Sequence, residues 1–146
     1  MVHLVIVAHA PLASALRQVA RHAYAECADR VTSLDVDPGD RPDDVEIRLR
    51  AMLPRSGGVL LMTDVFGATP CNAALRVADG VRCRVVTGVN VPMIWRALCY
   101  GDAALSDLVG MAVAGATHGV MQVATTRPQN QSPKGSCDDP LDAHDQ

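Results

Sequence analysis

The stretch Thr63-Asp-Val-Phe-Gly-Ala-Thr-Pro-Cys-Asn72 places an acidic residue and a glycine-containing loop between an apolar run and a helical pattern. The apolar run covers residues 58–62, and the alanine-rich helical pattern covers residues 73–78. Thr69 is a suitable N-cap, and Pro70 is favoured at the first helical position. Because a helix N-terminus presents unpaired N–H groups and a partial positive charge, this loop is predicted to bind an anion.

The composition favours one globular domain that binds neither nucleic acid nor membrane. The chain has 146 residues, of which 49% are hydrophobic and 20% charged, and its net charge is −3. It contains no Lys/Arg cluster, only 3% aromatic residues and no apolar run near the roughly 20 residues of a membrane span. The N-terminus reads as a strand and not as a signal peptide. Five scattered cysteines without a CxxC spacing indicate reduced thiols, so a cytoplasmic protein is expected.

Apolar runs alternate with helical patterns along most of the chain. Four strands are predicted at residues 3–8, 31–36, 59–63 and 82–87, and a weaker fifth strand at residues 120–125. This alternation predicts an α/β fold with a doubly wound, mainly parallel sheet of order 2-1-3-4 and helices on both faces. The domain is expected to span residues 1–126. Residues 127–146 are polar and acidic, which predicts a disordered tail.

The predicted topology brings His9 and Asp64 to the same edge of the sheet. His9 ends the first strand and Asp64 follows the third, and these strands are neighbours in this order. The helix start at Thr69-Pro70 and the loop of residues 88–90 lie at the same edge. A crevice between the carboxyl ends of the strands is the expected binding site.

A histidine beside a carboxylate can act as a base or as a nucleophile. The carboxylate fixes the tautomer by bonding one ring nitrogen, which leaves a lone pair on the other. With helix N–H groups aimed at the same point, His9 is predicted to accept and return a phosphoryl group. His9 and Asp64 supply only two metal ligands, so no metal is expected. No cofactor is expected either, since the chain has no P-loop and no G-x-G-x-x-G motif.

Three segments of the chain carry a family resemblance: Val7-Ala-His9, Asp64-Val-Phe-Gly-Ala-Thr-Pro-Cys-Asn-Ala-Ala74 and Gly88-Val-Asn-Val-Pro-Met93. Together they resemble the IIA domain of the mannose family of the bacterial phosphoenolpyruvate-dependent sugar phosphotransferase system. The resemblance covers about residues 1 to 125, with the segments in the family's order and spacing. It departs at Ala10, where the family usually has glycine, and at Gly67-Ala68, where the family has Gly-Gly.

The resemblance implies a phosphohistidine intermediate at His9. The phosphocarrier HPr would be the donor and a IIB protein the acceptor, in sugar uptake. It also implies that Asp64 orients His9 and that Thr69, with Gly67 and Ala68, lines the phosphate pocket. A homodimer that exchanges its last strand is implied as well, and that strand is predicted to be antiparallel. The alternative function is a regulatory phospho-switch that signals to an effector without sugar transport.

The remaining candidates have structural interpretations beside functional ones. Ala10 and Phe66 are possible pocket or partner contacts, and Asn90 either lines the pocket or caps the next helix. Cys71 is expected to be a small buried residue. No function is assigned to His22 and His118, and packing is expected for Trp95.

Overall fold

The computed structural model describes residues 1–125, so the tail predicted at residues 127–146 lies outside the described residues. Its strands are β1 (His3–His9), β2 (Val31–Val36), β3 (Val59–Thr63) and β4 (Cys83–Thr87). Its α-helices are α1 (Leu12–Ala23), α2 (Pro42–Met52), α3 (Thr69–Val77), α4 (Val91–Cys99) and α5 (Leu105–His118). A short 3-10 helix, Ala25–Arg30, was not predicted from the sequence.

The four strands form one parallel sheet of order β2-β1-β3-β4, which confirms the predicted α/β topology. Val7 pairs with Thr63 across β1 and β3, and Ala8 pairs with Asp35 across β1 and β2. His9 and Asp64 therefore leave adjacent strands at the same carboxyl edge. Residues 119–125 form no strand in this single chain, so the predicted fifth antiparallel strand is not seen.

Helices cover both faces of the sheet because the central strands are apolar on both sides. Along β3, Leu60 and Met62 belong to a core formed with α1, α4 and α5. Val59 and Leu61 belong to a second core formed with α2 and α3. All four side chains are at most 1% exposed. Continuous burial of this kind is typical of strands in a parallel sheet.

The start of α3 lies one residue earlier than the sequence predicted. Ala68 is the N-cap, in an extended conformation, whereas Thr69 was predicted to cap the helix and is its first residue. The first main-chain bond of the helix runs from the Asn72 N–H to the Ala68 carbonyl over 2.9 Å. Gly67 has a φ of 86°, which glycine adopts easily, and it turns the chain into this helix. The Asn72 side chain also donates to the Gly67 carbonyl over 3.2 Å, which fixes this turn.

Ser106, a residue type that favours N-caps, does not cap α5. The helix begins at Leu105, and Ala104 is its N-cap. Leu105 lies against Gly58 at the amino edge of the sheet, at van der Waals distance from where a Cβ of Gly58 would lie. Ser106 is the second residue of the helix. Of the helices in residues 1–125, none is long and apolar enough to cross a membrane.

Candidate functional site

His9 and Asp64 are joined by two hydrogen bonds at the carboxyl edge of the sheet. The His9 Nδ1 lies 2.6 Å from the Asp64 Oδ2, and the His9 main-chain N–H donates to the same oxygen over 2.9 Å. The other carboxylate oxygen accepts the Val65 N–H over 2.8 Å. The side chain of Asp64 is 13% exposed and that of His9 is 51% exposed. The carboxylate of Asp64 is thus fixed by hydrogen bonds, and the imidazole of His9 is accessible.

The surroundings of Asp64 keep its carboxylate ionised. Burial alone would raise the pKa of Asp64, but hydrogen bonds from His9 and Val65 outweigh that effect and lower the pKa below its ordinary value. An ionised carboxylate can only accept hydrogen bonds, so the His9 Nδ1 must carry a proton. In the neutral ring the Nε2 then holds the lone pair. This arrangement is suited to nucleophilic attack by the Nε2.

The loop between β4 and α4 is fastened beside this pair. The Gly88 N–H donates to the Asp64 carbonyl over 3.0 Å, and the Val89 N–H donates to the Thr63 carbonyl over 2.9 Å. The Asn90 Oδ1 accepts the Met93 N–H over 2.9 Å, and its Nδ2 donates to the Ala116 carbonyl over 3.1 Å. Capping, one of the two roles predicted for Asn90, is therefore the one seen in the structure.

Four helices begin at this edge of the sheet, and three of them have acidic or amide groups at their N-termini. Asn90 caps α4, and Asp43 and Asp44 occupy the first turn of α2. The first turn of α1 is capped by the Asp35 carboxylate, which accepts the Ser14 N–H over 3.0 Å. These groups offset the partial positive charge of their helix ends.

The remaining helix of these four, α3, has an open N-terminus. Its N-cap is an alanine, it has no side-chain cap, and its first turn holds no acidic residue. The N–H groups of Thr69 and Cys71 have no hydrogen-bond acceptor within residues 1–125, since the first bonded N–H of the helix is that of Asn72. This helix end follows Asp64 by only a few residues. An anion added at this helix end would meet unpaired donors and no acidic residue in the first turn.

The other predicted residues lie around the pair or in the core. Gly67, Ala68 and Thr69 form the turn into α3. Phe66 is 75% exposed. Ala10 is exposed directly after His9, and its N–H donates to the Val36 carbonyl over 2.9 Å.

Two residues beside the site, Val65 and Asp35, were not predicted from the sequence. Val65, which binds Asp64 through its N–H, is 52% exposed, and no sequence signal marks it. Asp35 was not predicted either, although its position near the end of the second strand puts it at the same edge. Cys71 is buried, as expected. Within residues 1–125, no group of three or more His, Cys, Asp or Glu side chains is arranged to hold a metal.

Replacing Asp64 with asparagine should reduce the sensitivity of the fold to acid. Because the pKa of Asp64 is lower in the folded chain, its ionised form adds stability above the ordinary value of 3.8, and this is lost as the pH falls through the folded pKa. The free energy of unfolding, measured in urea from pH 7 to pH 3, should therefore fall more steeply for the wild type than for Asp64→Asn at the acid end. Parallel curves for the two proteins would contradict the proposed state of Asp64.

Comparison with known proteins shows the family to which this chain is related. The family model described as "PTS system fructose IIA component" matches residues 3–113. The PTS system mannose-specific EIIAB component of Escherichia coli K12 is 32% identical over 123 residues, which cover 80% of this chain and 38% of that protein. The corresponding protein of Shigella flexneri matches to the same extent. The chain thus spans well under half the length of these relatives.

Solved structures show the same fold at lower identity. The mannose/sorbose specific IIA subunit of the phosphotransferase system from Enterococcus faecalis superposes with a TM-score of 0.78 at 22% identity, over 86% of this chain and 97% of that one. The sigma-54 interaction domain protein from the same organism gives a TM-score of 0.67 at 16% identity, over 81% and 92% of the two chains. The family match over 111 residues and the 32% identity to the mannose component agree with the fold and with the predicted resemblance. The chain therefore belongs to the mannose/fructose IIA family of the phosphotransferase system.

Proposed function

We propose that this chain is a cytoplasmic IIA component that takes a phosphoryl group from phospho-HPr on His9 and passes it to a IIB protein during sugar uptake. The observation that carries the proposal is the 2.6 Å contact between the His9 Nδ1 and the Asp64 Oδ2, beside an imidazole that is half exposed. Asp64 engages one ring nitrogen and leaves the other accessible. No metal or cofactor takes part in the proposed reaction.

The transfer is a displacement at phosphorus by the Nε2 of His9. The lone pair of the Nε2 forms the new N–P bond, while the bond from phosphorus to the donor breaks and its electron pair leaves with the donor. The proton on the Nδ1 stays in place, so the ring becomes cationic, and the ionised Asp64 balances that charge. Transfer to the acceptor repeats the displacement in the other direction and restores the neutral ring.

The open N-terminus of α3 stabilises the phosphoryl oxygens in this proposal. Gly67, Ala68 and Thr69 present main-chain groups and one hydroxyl near the end of a helix that has no cap of its own. None of these three residues carries a charge, so we expect Arg or Lys side chains of the partner protein to supply further compensation.

The exposed apolar side chains beside His9 suit contact with a partner protein. Val65 and Phe66 are 52% and 75% exposed on the loop that follows Asp64. Phe66 is the larger anchor, and exposed aromatic side chains are enriched at protein interfaces. HPr and the IIB protein would meet this surface in turn, because each must reach the same ring nitrogen.

The regulatory alternative uses the same chemistry with a different output. A phospho-switch would accept the phosphoryl group on His9 and bind an effector according to its phosphorylation state. The fold does not separate the two functions, since it is shared by a mannose/sorbose IIA subunit and a sigma-54 interaction domain protein. Rapid loss of the phosphoryl group to an added IIB protein would favour transport.

A homodimer is the second part of the proposal. On the outer side of β4, which is an edge strand, lies a cleft of about 400 Å³ lined in part by Leu75, Val85 and Val109. The segment 119–125 carries three apolar side chains that are 70–78% exposed: Val120, Met121 and Val123. Exchange of this segment between two chains, as an antiparallel strand along β4, would cover both surfaces.

Phosphoryl labelling tests the function directly. Incubation with phosphoenolpyruvate, enzyme I and HPr should give an acid-labile phosphate on the wild type and none on His9→Ala. The matched control is His22→Ala, an exposed histidine on α1, which should be labelled normally. Asp64→Asn should slow labelling by about tenfold or more, because the tautomer is no longer fixed. Labelling that persists in His9→Ala would overturn the assignment.

Filling the open end of α3 should separate helix stability from phosphoryl transfer. Ala68→Asp places a carboxylate at the N-cap, which should raise the free energy of unfolding by about 1 kcal/mol. The same carboxylate should lower the labelling rate by about tenfold or more, because it occupies the N–H groups and repels the phosphoryl oxygens.

Ala104→Asp is the matched control for this experiment. It makes the same change at the N-cap of α5, which starts at the opposite edge of the sheet, near Gly58. This variant should be stabilised to a similar extent and labelled at the wild-type rate. Equal labelling of both variants would rule out α3 as the phosphoryl-binding helix.

The dimer is tested by the mass of the protein in solution. Analytical ultracentrifugation should give twice the mass of one chain for the wild type. Val123→Pro should weaken the dimer, because proline removes a main-chain donor from the exchanged strand. A wild-type protein that sediments as a single chain at high concentration would contradict the exchange.

A further inference from the structure

Helix α1 depends on another element for its N-terminal cap. Its N-cap is Pro11, no side chain of the helix caps it, and its first turn holds no acidic residue. The Ser14 hydroxyl donates to the Pro11 carbonyl over 3.0 Å, so it does not serve the free N–H groups. The Ser14 N–H instead donates to the Asp35 Oδ1 over 3.0 Å. A carboxylate on the neighbouring strand β2 therefore supplies the cap.

Asp35 is itself held in place from two sides. Its position in β2 is opposite Ala8 of β1, one residue before His9. Its carbonyl accepts the Arg48 Nη2 over 3.1 Å, and the Arg48 Nη1 lies 2.8 Å from the Asp40 Oδ2. Asp40 in turn accepts the Asp37 N–H over 2.9 Å. Strand pairing and Arg48 thus hold the main chain of Asp35, from which its carboxylate reaches the Ser14 N–H.

Only two residues connect the reactive histidine to the capped helix. β1 ends at His9 and α1 begins at Leu12, with Ala10 and Pro11 between them. The Ala10 N–H is bonded to the Val36 carbonyl over 2.9 Å, next to Asp35 in the chain. A shift of the first turn of α1 therefore pulls on His9 through a very short connection. Asp64 holds the ring and main chain of His9 from one side, and the capped α1 holds the following residues from the other.

We propose that Asp35 is a positioning residue for His9, which acts by anchoring the first turn of α1 to the end of β2. Asp35 does not meet the phosphoryl group and belongs to the opposite face of the sheet from Val7 and His9, since it pairs with Ala8. It keeps the segment from His9 to Leu12 in the one arrangement in which the Nδ1 meets Asp64 and the Nε2 faces a partner. The functional consequence of this role rests on the proposed phosphoryl transfer. The hydrogen bond between Asp35 and Ser14 does not depend on it.

The test compares Asp35→Ala with Asp35→Asn. Asparagine retains an oxygen that accepts the Ser14 N–H, whereas alanine removes it. Asp35→Ala should lower the labelling rate of His9 by about three- to tenfold, because small displacements of a reacting group cost rate steeply. The labelling rate of Asp35→Asn should be close to that of the wild type. Labelling is measured with phosphoenolpyruvate, enzyme I and HPr at a temperature at which each variant is folded.

Asp79→Ala provides a matched control for lost capping. The Asp79 Oδ1 accepts the N–H groups of Val81, Arg82 and Cys83, each over 2.8 Å, at the turn before β4. Its removal should destabilise the protein without slowing the labelling of His9. A slower rate in Asp79→Ala equal to that in Asp35→Ala would show that general loss of stability, and not positioning, explains the effect.

Nitrogen NMR of the histidine ring separates this inference from the proposed function. The Nδ1 and Nε2 shifts of His9 report its bond to Asp64 without any phosphoryl donor. They should change in Asp35→Ala and return towards the wild-type values in Asp35→Asn. If the wild type is not labelled but these shifts move, the phosphoryl function fails and the positioning role stands. Ring shifts unchanged in Asp35→Ala would overturn the positioning role.

Discussion

The site depends on one hydrogen bond, that between the imidazole of His9 and the carboxylate of Asp64. An exposed imidazole in water exchanges between two neutral tautomers and has no fixed direction. The 2.6 Å contact with an ionised carboxylate selects the tautomer and orients the ring, and in the proposed transfer it supplies a counter-charge to the cationic ring. The carboxylate is kept ionised by donors from its own loop and from the histidine main chain. A half-exposed side chain thereby becomes a defined nucleophile.

The sheet makes this bond possible and also brings helix N-termini to the same edge. Parallel pairing of β1 with β3 brings two strand ends together that are 55 residues apart in the sequence. The same edge collects the N-termini of four helices, each with a partial positive charge. Within residues 1–125, Asp35 caps α1, Asn90 caps α4 and α2 has two acidic residues in its first turn, whereas α3 has neither a side-chain cap nor an acidic residue there. This difference supports the proposal that the phosphoryl group binds at α3.

Much of the fold and the central pair could be predicted from the sequence, because both follow from strong periodic signals. Strands buried on both faces appear as continuous apolar runs, and β2 and β3 begin and end where those runs predicted. Weaker signals misled the prediction where several residues satisfy one pattern. The helical spacing of Leu12, Leu16 and Val19 predicts that they share one buried face of α1, but Leu12 and Val19 are 39% and 38% exposed, and Ala13 is buried instead. In an alanine-rich helix, small apolar residues occur on every face, so spacing alone does not determine which of them are buried. The bond from the Ser14 N–H to Asp35 is likewise a tertiary contact that no local pattern reveals.

The position of the phosphoryl group on the histidine ring tests the central claim most directly. Phosphorus and nitrogen NMR of the labelled protein, with ¹⁵N in the histidine rings, distinguishes phosphorylation at the Nε2 from that at the Nδ1 through the coupling between the two nuclei. The structure predicts a phosphoryl group on the Nε2 of His9, with the Nδ1 still protonated and bonded to Asp64. Phosphorylation at the Nδ1, or at any other histidine, would contradict the account, because Asp64 already occupies the Nδ1.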